Sequence, residues 1–138
     1  MVAKGLWLAG SAIFFILGIV HLYYTFFTTK FDPRNKNIIN EMKSTSPRLT
    51  NETTVWKAWI GFNASHSAGA IFIGLINIIL AAENFSVIEN SFLVSFCTIL
   101  TSVFYLWLAK KYWFTIPFIG ILIAVCCFII APVITFLI

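Results

Sequence analysis

Charge is scarce in this chain. Only 10% of its 138 residues are charged, and the acidic ones number five: Asp32, Glu41, Glu52, Glu83 and Glu89. None lies inside a long apolar run, which argues against the carboxylate-driven proton exchange of small drug exporters and removes the acid partner expected of sterol-isomerase-like four-span enzymes. The three cysteines, Cys97, Cys126 and Cys127, form no CxxC pair. A disulfide-exchange or zinc framework is therefore not expected, and they read as buried small hydrophobes. No Ser-His-acid set and no phosphate-cradling glycine loop is present, so nothing supports catalysis. No basic groove with interleaved aromatics suggests nucleic acid, and no span repeats another in the manner of inverted-repeat transporters.

What is present is apolar. The chain is 60% hydrophobic, with a mean hydropathy of +0.94, far beyond a water-soluble domain of this length. A bilayer core takes about 20 apolar residues per helix. Four such runs fit, and the expected fold is an all-α, four-transmembrane-helix bundle in a single domain, with spans near 6–28, 56–82, 91–109 and 112–138. The first run follows Lys4 as a signal peptide would, but it is as long as a full span and lacks a small-residue cleavage site. It reads as a retained helix.

The first span carries Gly10, Phe14, Gly18, His21, Thr25 and Thr28 along one side, expected to face protein, with Phe15, Ile19, Leu22 and Phe26 toward lipid. The connection from Lys30 to Val55 is polar. Asp32 and Pro33 read as an N-cap and first helical position, starting a short helix that brings Ile38, Ile39 and Met42 together on the headgroups. A further helix start is expected at Thr50 or Asn51, leading into the second span. There, Gly61, Ser65 and Gly69 recur every four residues as a packing seam, beside a polar stripe through Asn63 and His66. Glu83 to Asn90 reads as a short acidic turn. In the third span Ser91, Ser95, Thr98, Ser102 and Tyr105 follow a heptad pattern that predicts one inward hydroxyl face. The fourth presents Pro117, Gly120, Ala124, Cys127 and Ala131 to its neighbours, with Thr115 favoured as the cap that leaves Pro117 in the first turn.

Of the nine Lys and Arg, eight fall in the first and third connections or at Lys57. The positive-inside rule then puts those connections in the cytoplasm and both termini outside. His21 and His66 each lie about six residues inside the cytoplasmic boundary of their spans, so at 1.5 Å per residue both are roughly 9 Å deep. Ser102 and Tyr105 count to similar depths, and Tyr24 and Asn63 sit one turn shallower.

These six residues, His21, Tyr24, Asn63, His66, Ser102 and Tyr105, are the candidate ligand-binding set, since polar groups at membrane depth are costly unless paired or used. Three uses remain open. The groups can hydrogen-bond among themselves and hold the bundle; they can receive the polar head of an amphiphile such as a quinone, isoprenoid or lipid; or the two imidazoles can ligate a haem. Two histidines without a nearby carboxylate or thiol are too few for a metal site. If the cluster is only structural, the small-residue seams suit an accessory subunit that docks on a membrane partner or on a second copy.

Val20-His21-Leu22, Trp59-Ile60-Gly61-Phe62-Asn63, Ser65-His66-Ser67-Ala68-Gly69, Tyr112-Trp113-Phe114 and Pro117 carry a family likeness. The chain resembles small four-span bacterial integral membrane proteins known by a locus-tag family name, without an assigned activity. That resemblance implies the fold and a bacterial inner membrane, and no reaction. More loosely, the chain is similar in size and span count to DoxX-like proteins, which implies a quinone-associated or redox-partner role.

Overall fold

A computed structural model describes the backbone of residues 1–137 and the side chains of residues 1–135. It contains six helices and, among the described residues, no strand: α1 (Val2–Phe27), α2 (Lys36–Ser44), α3 (Val55–Glu83), α4 (Phe85–Asn90), α5 (Phe92–Tyr112) and α6 (Thr115–Leu137). Four of them, α1, α3, α5 and α6, are long and apolar enough to cross a membrane. Their outer faces are apolar too: Phe62, Phe92 and Ile116 are each more than 70% exposed. A soluble monomer does not display such a surface. The chain is a multi-pass membrane protein of all-α class.

Contacts divide it into two compact units: Met1–Leu17 with the chain from Ala70 onward, and Gly18–Gly69. In the first unit, segments of all four long helices pack as a bundle. Trp7 is fully buried, with its ring edge-on to Phe128 at 5.0 Å. Phe14 lies 6.2 Å from the same Phe128 ring and stands edge-on to Tyr105 at 5.6 Å. A buried amide joins three helices here. Asn77 Oδ1 accepts from Trp7 Nε1 at 3.0 Å and from Thr98 Oγ1 at 3.2 Å, while its Nδ2 donates to the Ile73 carbonyl at 2.9 Å.

Small residues set how closely the helices approach. A methyl placed on Gly74 would lie 2.5 Å from the backbone nitrogen of Phe15, so α1 and α3 meet there backbone to backbone. At Gly10 the corresponding distances are 3.1 Å to the Ala124 carbonyl oxygen and 3.2 Å to Cys127 Cβ. Gly120 receives the Leu17 side chain at 3.0 Å. Gly120 thus lies against the Leu17 side chain, and Ala124 is fully buried. The expected inward face of α5 is equally clear, with Ser95, Thr98, Ser102, Tyr105 and Ala109 buried and Ser91 capping the helix by accepting from Val94 N.

Other expectations are corrected. The seam of α3 does not run through Gly61 and Ser65, which are exposed; a methyl on Gly61 would meet nothing within 4 Å. The inward stripe is Ser67, Ala70, Gly74, Asn77 and Ala81. A strict four-residue repeat advances about 40° around the helix at each step, whereas alternating steps of three and four hold one line. Phe15, expected toward lipid, is half-buried over Gly74. Cys97 and Cys126 are exposed rather than buried.

The loop helix α2 starts at Lys36, because Asn35 is its cap and accepts from Asn37 N; the Asp32 N–H instead closes a turn onto the Thr29 carbonyl. Nor does α3 begin at Thr50 or Asn51: the Thr54 hydroxyl caps it by accepting from Lys57 N. The acidic connection contains α4, which the sequence reading missed. On α6 Thr115 is the first helical residue rather than the cap, since the Phe114 carbonyl accepts from Phe118 N; Pro117 still lies in the first turn, and a second proline, Pro132, sits inside the helix.

These approaches predict opposite outcomes for two glycines. Gly74→Ala should destabilise the detergent-solubilised protein by about 2 kcal/mol or more, because the clash is with backbone that no rotamer change relieves. Gly61→Ala should be neutral or stabilising by up to about 1 kcal/mol through helix propensity. Denaturant titration followed by circular dichroism distinguishes them.

Candidate functional site

The second unit contains the end of α1, the loop with α2, and the start of α3. Its loop is closed at the base by Val55 N donating to the Thr45 carbonyl at 2.8 Å and by Lys43 Nζ 5.4 Å from the centre of the Trp56 ring. None of the residues of α2 is buried.

Two facing turns build the polar cluster. Asn63 Nδ2 donates to the Trp59 carbonyl at 2.8 Å, which orients the amide so that Oδ1 faces His21 Nε2 at 3.0 Å. Since that oxygen can only accept, His21 carries its proton on Nε2. The His66 ring lies 5.6 Å from the His21 ring, and Phe31, from the loop, packs on His21 at 4.5 Å. Both imidazoles are half-buried. The cluster is held but not sealed.

Its periphery supplies a cation. Lys30 Nζ donates to the Tyr24 hydroxyl at 3.2 Å and stands 4.3 Å from the centre of that ring, while Phe31 is edge-on to Tyr24 at 6.1 Å. Hydroxyls close the backbone beneath: Thr25 donates to the His21 carbonyl, Thr28 to that of Tyr24 and Ser67 to that of Asn63. Four of the six candidates, His21, Tyr24, Asn63 and His66, are therefore gathered in this unit.

Comparisons with protein-family models, curated proteins and solved structures return no match.

The remaining candidates belong to the first unit, in roles of packing. Ser102 is fully buried and donates to the Thr98 carbonyl at 2.7 Å. Tyr105 presents its ring to Phe14. Back-bonding of this kind satisfies a hydroxyl within its own helix, which suits a bilayer where no water is at hand. Indeed, among the described residues no buried side-chain polar atom lacks a partner. The hydroxyl face of α5 is thus a packing surface with its polarity spent internally.

A haem does not suit the cluster as arranged. An axial imidazole offers the metal a nitrogen lone pair, whereas His21 Nε2 is protonated and directed at Asn63. The participants that sequence reasoning missed are Phe31 and Lys30. The only hint was an aromatic beside a cation immediately after the span, a pattern that interface anchoring also produces.

The orientation of Asn63 makes the histidine tautomer testable. In wild-type protein, 15N spectra of the imidazoles should report His21 as the Nε2–H form. Asn63→Leu should remove that fixed tautomer and cost about 1–2 kcal/mol of stability, and an unchanged spectrum would contradict the bond.

Proposed function

We propose that this membrane protein binds the polar head of a small amphiphile, a quinone, isoprenoid or lipid, at the cluster formed by His21, Tyr24, Asn63 and His66. The supporting observation is the pairing of two half-buried imidazoles at 5.6 Å, where a purely structural network would seal its polar groups. The imidazoles, the tyrosine hydroxyl and the Lys30 ammonium offer both donors and acceptors to a carbonyl or phosphate head. Phe31 and Tyr24 supply apolar walls. We propose likewise that the chain belongs with the small four-span bacterial inner-membrane proteins it resembles.

Purification in mild detergent followed by lipid mass spectrometry tests the reading. Wild-type protein should retain a defined amphiphile, and His66→Leu should lower its occupancy at least about ten-fold while leaving a folded monomer. Unchanged retention in that variant would sink the idea.

A second reading, an accessory subunit docked on another membrane protein, draws on the exposed Gly61 and Ser65 of α3, which the chain leaves open to a neighbouring helix. The same preparation separates the two. A co-purifying membrane protein that Ser65→Leu releases, without a retained amphiphile, favours docking.

The proposal includes a topology with both termini on the non-cytoplasmic side, supported by eight of nine basic residues lying in or beside the first and third connections. In a cysteine-free background, a cysteine at Leu49, which is 94% exposed, should react with a membrane-impermeant thiol reagent only after the cells are opened. One at Ser86 should react in intact cells whose periplasm the reagent can reach.

A further inference from the structure

The first unit contains a cavity of about 280 Å³ between the start of α1, the α4–α5 corner and the end of α6. At ~30 Å³ per water-sized group it has room for roughly nine such groups, the size of an acyl-chain segment. None of its walls belongs to the histidine cluster.

Its floor is apolar because the polar atoms there are engaged elsewhere. Trp7 faces the cavity, but its indole N–H is given to Asn77. Ser95 donates to the Ile88 carbonyl and Thr135 to the Ala131 carbonyl. Pro132, which also lines the cavity, has no N–H to offer Phe128, and in a helix interior the ring displaces the preceding turn. The wall on α6 is accordingly built where that helix cannot be regular.

The mouth is equally informative. Phe92, Phe96, Ile129 and Val133 line the cavity and are all exposed, so it opens on the lipid-facing sides of α5 and α6. At the α4 end the rim carries one charged group, Glu89, followed by Ser91. Lys4, the one lysine of α1, gives its ammonium to the Ala82 carbonyl at 3.3 Å and does not line the cavity. Apolar walls that open sideways into hydrocarbon, with a single carboxylate among the lining residues, complement a tail that bears a cationic head.

We propose that this cavity is a binding site for a membrane phospholipid with a primary-amine head. One acyl segment lies between Phe92, Phe96, Ile129 and Val133, and the ammonium is held by Glu89. An ammonium donates three hydrogen bonds, and the Glu89 carboxylate together with the Ser91 hydroxyl oxygen can accept them. A choline head offers none, and a glycerol head bears no cation.

The full chain, purified and delipidated, can be exchanged into mixed micelles containing phosphatidylethanolamine, phosphatidylcholine or phosphatidylglycerol of matched tails and examined by native mass spectrometry. One phosphatidylethanolamine should be retained about ten-fold more tightly than either of the others. Glu89→Gln should abolish the preference without removing the lipid, since the side chain is exposed and its replacement leaves the packing intact. Val133→Trp, at the exposed mouth, should lower retention of all three, and Ala131→Phe should do the same from the floor. Equal retention of the three lipids by wild-type protein would overturn the proposal. So would a preference that survives Glu89→Gln, or retention unaffected by Val133→Trp in a folded protein.

Discussion

A polar group that crosses a bilayer has to find its partner inside the protein, and the Asn77 amide is where this chain meets that constraint most fully. Unpaired in hydrocarbon, the amide would cost several kcal/mol. Its three bonds, to Trp7, Thr98 and Ile73, tie α1 and α5 to α3. Interhelical hydrogen bonds in membranes average only about 0.6 kcal/mol each. Their strength is therefore less important than their exclusivity: a rotation of α3 that removes Asn77 from Trp7 leaves three groups with nowhere to go. That one amide selects which face of α3 turns inward.

The rest of the first unit follows from this choice. With Asn77 inward, Gly74 one turn earlier meets the backbone of Phe15, and Ala70 and Ala81 extend the same line. Helices in lipid gain little from apolar burial as such, because the tails are as apolar as the side chains. Close contact is what remains, and glycine at Gly74 and Gly10 permits it. The large residues Trp7, Phe14 and Phe128 then fill the space between.

The second unit applies the same rule with a different result. Asn63 is again an inward amide bonded to its own helix and to a ring nitrogen of α1. Here, though, the partner is titratable and half-exposed, and a second imidazole adjoins it. Asn77 is closed inside a core, whereas Asn63 supports a surface that a ligand can reach. This difference in enclosure, rather than residue type, makes the histidine cluster the functional candidate, and it is why Ser102 and Tyr105, buried on α5, drop out of it.

Composition and periodicity by themselves determined the membrane class, the four spans and the inward face of α5, because a bilayer forces long apolar helices and heptad spacing fixes a face; on α6 the buried line shifts to Ile121, Ala124, Val125, Phe128 and Ala131, of which only Ala124 and Ala131 were expected. Asn63 and His66 were also legible as polar residues at depth. What only the tertiary structure decided was which small residues touch. Gly61 and Ser65 look like a seam in sequence as much as Ala70 and Gly74 do, and the register of Asn77 against Trp7 separates them. The meeting of His21 with Asn63 and the cavity beside Pro132 likewise depend on contacts between segments far apart in the chain, and no local pattern encodes a contact whose other half lies on a different helix.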